Sequence, residues 1–146
     1  MLAGEKPPVE PVAALAHTTD GAIAFAKFWV QTMDWGYATT TTAYGRHYTS
    51  PACTTCQQLF SKIDDWQAKG DYYIGGRVGV TSANVDNSAA SNGSEIVVRL
   101  LTSVTGTEIV DSQRNFVAGE QPYPVKPVRV WLAWSSSWTV VDFGGV

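Results

Sequence analysis

Two cysteines, Cys53 and Cys56, are the residues whose spacing most directly offers chemistry, because in C-x-x-C at the start of a helix their side chains meet within one turn. Three readings compete. A structural zinc site needs four ligands, and the only histidines, His17 and His47, are not at finger-like spacing, so no metal is expected. A thioredoxin-like redox pair is chemically open, since a helix N-terminus lowers a thiol's pKa, but the strand that should lead into it is missing. A structural disulfide in an exported protein is the favoured reading. Six tryptophans offer a second chemistry, ring stacking on a sugar or peptide, although in a chain of this size most should be core. Trp131 and Trp134 lie three apart in one expected strand and so face opposite sides, which puts at least one at the surface.

The elements that must position these residues follow from periodicity. From Thr18 to Gly70 the chain reads as two long helices and a polar break. In the first helix Ala22, Phe25, Ala26, Phe28, Trp29, Met33 and Tyr37 recur at three- and four-residue steps and cover most of the cylinder. Asp20, Lys27, Gln31 and Asp34 form the thin polar edge that remains. From about residue 20 to 38 such a helix spans roughly 28 Å, enough to cross a small domain. Four threonines from Thr39 disfavour helix, and a short helical turn is expected at Ala43 to Tyr48. Ser50 as cap and Pro51 at the first helical position then open the second long helix, with Cys56, Leu59, Phe60, Ile63 and Trp66 on one side and Gly70 closing it.

Beyond Gly70 the texture changes to alternation broken by turn signals, as in an antiparallel sheet. Strands are expected at 72 to 86, 94 to 104, 108 to 117, 127 to 135 and 137 to 143, with a bend at Gly75-Gly76 and a proline-held loop at 118 to 127. Helices followed by a run of strands make an α+β fold, and an all-round apolar first helix implies a strongly bent antiparallel sheet that grips it in its concave face. One domain over residues 17–146 is expected, preceded by a flexible tether over 1–16 that is rich in proline and lacks periodicity.

Apolar residues make up 45% and charged ones 16%, which argues against disorder. Ten basic residues against 13 acidic give a net charge of -3, and the basic ones are scattered, so no nucleic-acid partner is expected. No apolar run approaches the roughly 18 residues of a membrane span.

The order of long helix, short helix, amphipathic helix and curved meander, ending in Ser137-Trp138-Thr139-Val140-Val141-Asp142, resembles the cystatin-like, nuclear-transport-factor-2-like cone fold. The run Gly21-Ala22-Ile23-Ala24-Phe25-Ala26-Lys27-Phe28-Trp29, then Asp34-Trp35-Gly36-Tyr37-Ala38, Cys53-Thr54-Thr55-Cys56 and Gly75-Gly76 together resemble a family of uncharacterised secreted lipoproteins of actinobacteria. The likeness covers roughly residues 17 to 143. Leu2-Ala3-Gly4 is the tripeptide that usually precedes a lipoprotein's lipidated cysteine, but position 5 is Glu.

The resemblance implies an extracytoplasmic location, secreted or anchored to the cell membrane, with membrane attachment only through a lipid anchor that this chain does not carry. It carries over no catalytic residue and no cofactor. Some cone-fold relatives place a carboxylate, a histidine and a tyrosine in a pocket between helix and sheet, and here the candidates are Asp34, Tyr37, Tyr44 and His47. Asp34 is expected on the wet edge of the first helix, Tyr37 and Tyr44 as half-buried aromatics, and His47 facing solvent. The expected function is therefore a non-enzymatic binding or accessory module of the bacterial cell envelope, with an unidentified protein or small-molecule partner. The alternative is a small-molecule isomerase or dehydratase using the cone cavity.

Overall fold

A computed structural model of the chain describes residues 5–146, apart from the side chains at 123 and 124. Leu2-Ala3-Gly4 lies outside the described residues. Helix α1 (Thr19–Thr39) starts where Thr18 Oγ1 accepts from the Gly21 amide at 3.0 Å and ends at Thr40 in the left-handed region. Phe25, Phe28, Trp29, Val30 and Met33 are buried along it, whereas Asp20, Lys27 and Gln31 are exposed, so the helix is gripped on most of its circumference. Helix α2 (Ala43–His47) is the expected short turn.

Helix α3 (Thr54–Lys69) begins later than its Ser50-Pro51 signature predicts. Cys53 donates its amide to Ser50 O at 3.1 Å, so Ser50 to Cys53 form a turn and Cys53 becomes the cap, its sulfur accepting from the Cys56 amide. Proline is equally at home in such a turn, where its fixed φ is already correct. Cys53 and Cys56 are joined by a disulfide and both are buried. The bridge spans a four-residue loop, so replacing both cysteines with serine should cost about 2 kcal/mol at most. Urea unfolding checks this, and without reductant the denatured chain should take up no alkylating label.

Among the described residues seven strands form where five were expected. Strands β1 (Tyr72–Gly75), β4 (Thr107–Val110) and β5 (Phe116–Glu120) make a three-stranded antiparallel sheet in the order β1-β4-β5. Strands β2 (Val78–Val85), β3 (Ile96–Val104), β6 (Tyr123–Trp134) and β7 (Trp138–Gly145) make a four-stranded one in the order β2-β3-β6-β7. The expected strand at 72 to 86 divides at Gly75 and Gly76, both at positive φ, and a Cβ at Gly75 would stand 2.1 Å from Gly106 O. The expected strand at 108 to 117 is broken by a turn in which Asp111 accepts from the Gln113 and Asn115 amides. The loop expected at 118 to 127 is largely strand, because Pro127 and Lys126 pair with Leu101 and Thr102 in the β3·β6 ladder.

The three helices pack against these sheets, and the core lies between α1 and the four-stranded sheet, with Val98, Leu100, Val130, Leu132 and Val140 facing Phe25 and Trp29. The connection into α3 docks on β7, where Ser50 N donates to Val140 O at 2.7 Å and Val140 N to Tyr48 O at 3.0 Å. Neither Trp131 nor Trp134 is an exposed platform. Trp131 is 7% exposed, its indole N–H donating to Ala90 O under the 87–93 loop, and Trp134 is covered by a parallel His17 ring at 4.5 Å.

From Glu5 onward the expected tether is replaced by a packed strap. Trp35 Nε1 donates to Glu5 O at 2.9 Å, the Tyr44 hydroxyl to Pro8 O, and Trp138 Nε1 to Ala16 O at 2.9 Å. A 3₁₀ turn at Val12–Leu15 buries Ala14 to 1%. Prolines exclude regular pairing, but they leave carbonyls free to accept from side chains, and that is how the segment is held.

Candidate functional site

A partly open cleft of about 230 Å3 lies between α1 and the sheets. Trp29, Val30, Met33, Asp34 and Tyr37 present one side of α1 to it, at the spacing that places residues on one helix face. Val78, Val128 and Phe143 supply apolar surface from the large sheet, while Tyr73, Glu120, Thr102 and Lys126 are the polar residues on the strand side. Such a mainly apolar hollow with a few convergent polar groups is the usual form of a small-molecule site.

Of the four acid–base candidates, the structure brings Asp34 and Tyr37 to this cleft and leaves Tyr44 and His47 outside it. Tyr44 sits in an aromatic cluster with Phe28, Trp35 and Tyr48 and donates to the strap. His47 is exposed, its ring edge against Tyr48 at 4.8 Å between centroids.

Asp34 is not on a wet edge: its side chain is only 13% exposed. Arg77 covers it, donating from Nε to both carboxylate oxygens at 3.2 and 3.1 Å and from Nη2 to Oδ2 at 2.7 Å. The Val78 amide adds a further bond to Oδ1 at 2.8 Å, so the carboxylate clamps the first residue of β2 to α1. The other edge of the guanidinium grips Glu5 through bonds of 3.0 and 2.7 Å. This hydrogen bonding holds the Glu5 carboxyl below its usual value, against a smaller opposing effect of burial. With both oxygens engaged by Arg77 and the Val78 amide, Asp34 ties α1 to the start of β2.

Tyr37 has its ring packed on Tyr73 and Trp66, at 5.2 and 5.9 Å between centroids. Burial, reinforced by Tyr73 and the charge of Glu120, pushes its phenol far above the ordinary value, so it stays protonated. Its hydroxyl makes no hydrogen bond among the described residues. The Tyr73 hydroxyl pairs with Thr107 Oγ1 at 3.2 Å, and Thr102 Oγ1 donates to Lys126 O at 2.8 Å.

Arg77, Tyr73, Glu120 and Lys126 were not singled out in the sequence. Arg77 carries the one available signal, since it directly follows the Gly75-Gly76 bend that aims the start of β2 at α1. Among the described residues no three His, Cys, Asp or Glu side chains are grouped to hold a metal ion.

A family described as "Family of unknown function (DUF6318)" matches residues 5–140, and the chain belongs to that family. Comparison with curated proteins yields no match. Among solved structures, the intermembrane space region of the chloroplast protein ARC6 is similar, with 11% identity, 90% of this chain and 98% of that chain covered, and a TM-score of 0.57. At that identity the likeness shows a shared fold.

Proposed function

We propose that this member of a family of unknown function is a non-enzymatic, extracytoplasmic binding module of the bacterial cell envelope, and that the cleft under α1 is where it binds. The observation that carries the reading is the pairing of an apolar hollow with a carboxylate, Asp34, whose oxygens are already taken by Arg77 and the Val78 amide. An isomerase or dehydratase needs a titratable group free to reach its substrate, with a second group to stabilise developing charge. A binding site needs only the hollow and a few orienting polar atoms.

The buried Cys53–Cys56 disulfide supports the compartment, because such bonds form and persist where the surroundings are oxidising. The resemblance of α1, the cysteine pair and Gly75-Gly76 to actinobacterial secreted lipoproteins supports the cell envelope.

A small neutral probe tests the cleft. An engineered apolar cavity of about 150 Å3 accepts benzene, so 2-phenylethanol is a fitting size. Ligand-observed NMR should report binding at roughly millimolar affinity or better. Val104→Trp, which fills the hollow from the end of β3, should abolish the signal in a chain whose circular dichroism is unchanged. Absence of binding, or binding indifferent to Val104→Trp, would remove the cleft as a site.

A further inference from the structure

We infer that the surface beneath the strap is a docking groove for an extended, proline-rich segment of another protein, with a glutamate three residues before a proline, and that residues 5–11 occupy this groove in cis. The inference goes beyond the cleft reading, because Trp35, Tyr44 and Arg77, which hold the segment, do not line the cleft.

Four observations carry it. Pro7, Pro8 and Pro11 fix their own φ and restrict Lys6, Pro7 and Glu10 before them to extended backbone, which biases the segment to polyproline II. Pro11 has that conformation, at φ -69° and ψ 149°. Trp35 Nε1 and the Tyr44 hydroxyl donate to Glu5 O and Pro8 O, carbonyls three residues apart, which is one turn of such a helix. Burial follows the same step: Glu5 and Pro8 are half-buried, whereas Lys6, Pro7 and Val9 are exposed. Finally, the segment is attached as a bound peptide is. Among the described residues, 5–11 make no backbone-to-backbone hydrogen bond to any element beyond the strap, and side chains supply the bonds that hold it.

Charge and ring chemistry define the partner. Asp34 holds Arg77 from one edge, so Nη1 and Nη2 present a fixed fork to the Glu5 carboxylate, at 3.0 and 2.7 Å. That fork selects a carboxylate at the first position of the segment. Tyr44 stands edge-on to Trp35 and Tyr48, at 5.7 and 5.4 Å between centroids, and these half-buried rings make the kind of aromatic wall on which proline-rich ligands dock. In the intact chain the strap competes at the roughly millimolar effective concentration of a short tether, so it closes the groove to weak or dilute ligands.

The probe is an acetylated synthetic peptide with the sequence of residues 5–11 and fluorescein at its C-terminal end. It is titrated into the full chain and into the Glu5→Arg variant, in which like charge at Arg77 expels the strap. The variant should bind the peptide about tenfold tighter or more, and Glu5→Ala, a milder change, should shift the affinity in the same direction. In the variant the Trp35 indole N–H resonance should move, and it should return as the peptide fills the groove. Within the peptide, Glu5→Gln or Pro8→Gly should weaken binding by about fivefold or more, and Tyr44→Phe in the opened chain should weaken it too. A Trp35 signal unmoved by Glu5→Arg, equal binding to the opened and unchanged chains, or binding indifferent to the glutamate and proline of the peptide would overturn the inference. So would a variant that dimerises and then excludes the peptide, because the occupant would be the strap of a second copy. None of these outcomes bears on the cleft, which 2-phenylethanol reports separately.

Discussion

Trp29→Ala should destabilise the chain by about 3 to 5 kcal/mol, the range for truncating a large aromatic where the surroundings cannot collapse. The indole is 1% exposed, lies 5.1 Å from the Phe143 ring, and donates from Nε1 to Thr49 Oγ1 at 2.9 Å. Thr49 in turn donates to Gly45 O at 2.7 Å, so one side chain links α1 to the α2–α3 connection and to β7. Truncation would merge the vacated space with the cleft that Trp29 already lines, leaving no neighbour to fill it. Trp29→Phe keeps most of the apolar contact and loses the hydrogen bond, for about 1 kcal/mol plus a packing cost. Urea unfolding of both variants measures this, and a loss below about 1 kcal/mol for the alanine variant would mean that α1 is not held as described.

Deleting residues 1–16 should cost about 3 kcal/mol, which for a chain of this length lowers the thermal midpoint by about 6 to 12 °C. The deletion removes the acceptors of Trp35, Tyr44 and Trp138, exposes the core surface that the buried Ala14 covers, and takes Glu5 from Arg77. The Glu5–Arg77 pair is partly exposed on both sides, so it accounts for a minor share. It also sets a pH signature. Because the folded-state pKa of Glu5 is depressed, its stabilisation is present above the ordinary carboxylate value and is lost as pH falls through the lowered one. The truncated chain should accordingly lose less stability on acidification than the intact one. A midpoint shift under about 2 °C would restore the tether that the sequence predicts.

Much of the helical layer is legible in the sequence because periodicity reports burial directly. Phe25, Phe28, Trp29 and Met33 declare the face of α1, and Cys56, Phe60, Ile63 and Trp66 that of α3. The strand positions are legible but their division is not. Gly75-Gly76 announces a bend, while the transfer of β1 and β2 into different sheets depends on Gly106, a contact no local pattern encodes. The same limit hides the strap, since prolines mark an irregular backbone but say nothing of tryptophan and tyrosine donors more than 25 residues away reaching its carbonyls.

Asp34 shows why the site was only half visible. Helical spacing aligns it with Lys27 and Gln31, and both of those are exposed. Its burial comes from Arg77, separated from it by 43 residues, and only the fold brings the two together. Tyr37 was legible as a half-buried aromatic near the end of α1. Its unpartnered hydroxyl was not, because Tyr73 and Glu120 reach the same cleft from strands of the small sheet whose order β1-β4-β5 is not sequential.

The most direct test of a ligand site beneath α1 is a chemical-shift map of the labelled full chain titrated with 2-phenylethanol. Perturbations should concentrate on the Met33 methyl group and on Val78, Val104 and Val128, the apolar walls of the cleft. Perturbations that spare these groups and gather instead on the outer face of the small sheet, around Ile74 and Phe116, would contradict the account.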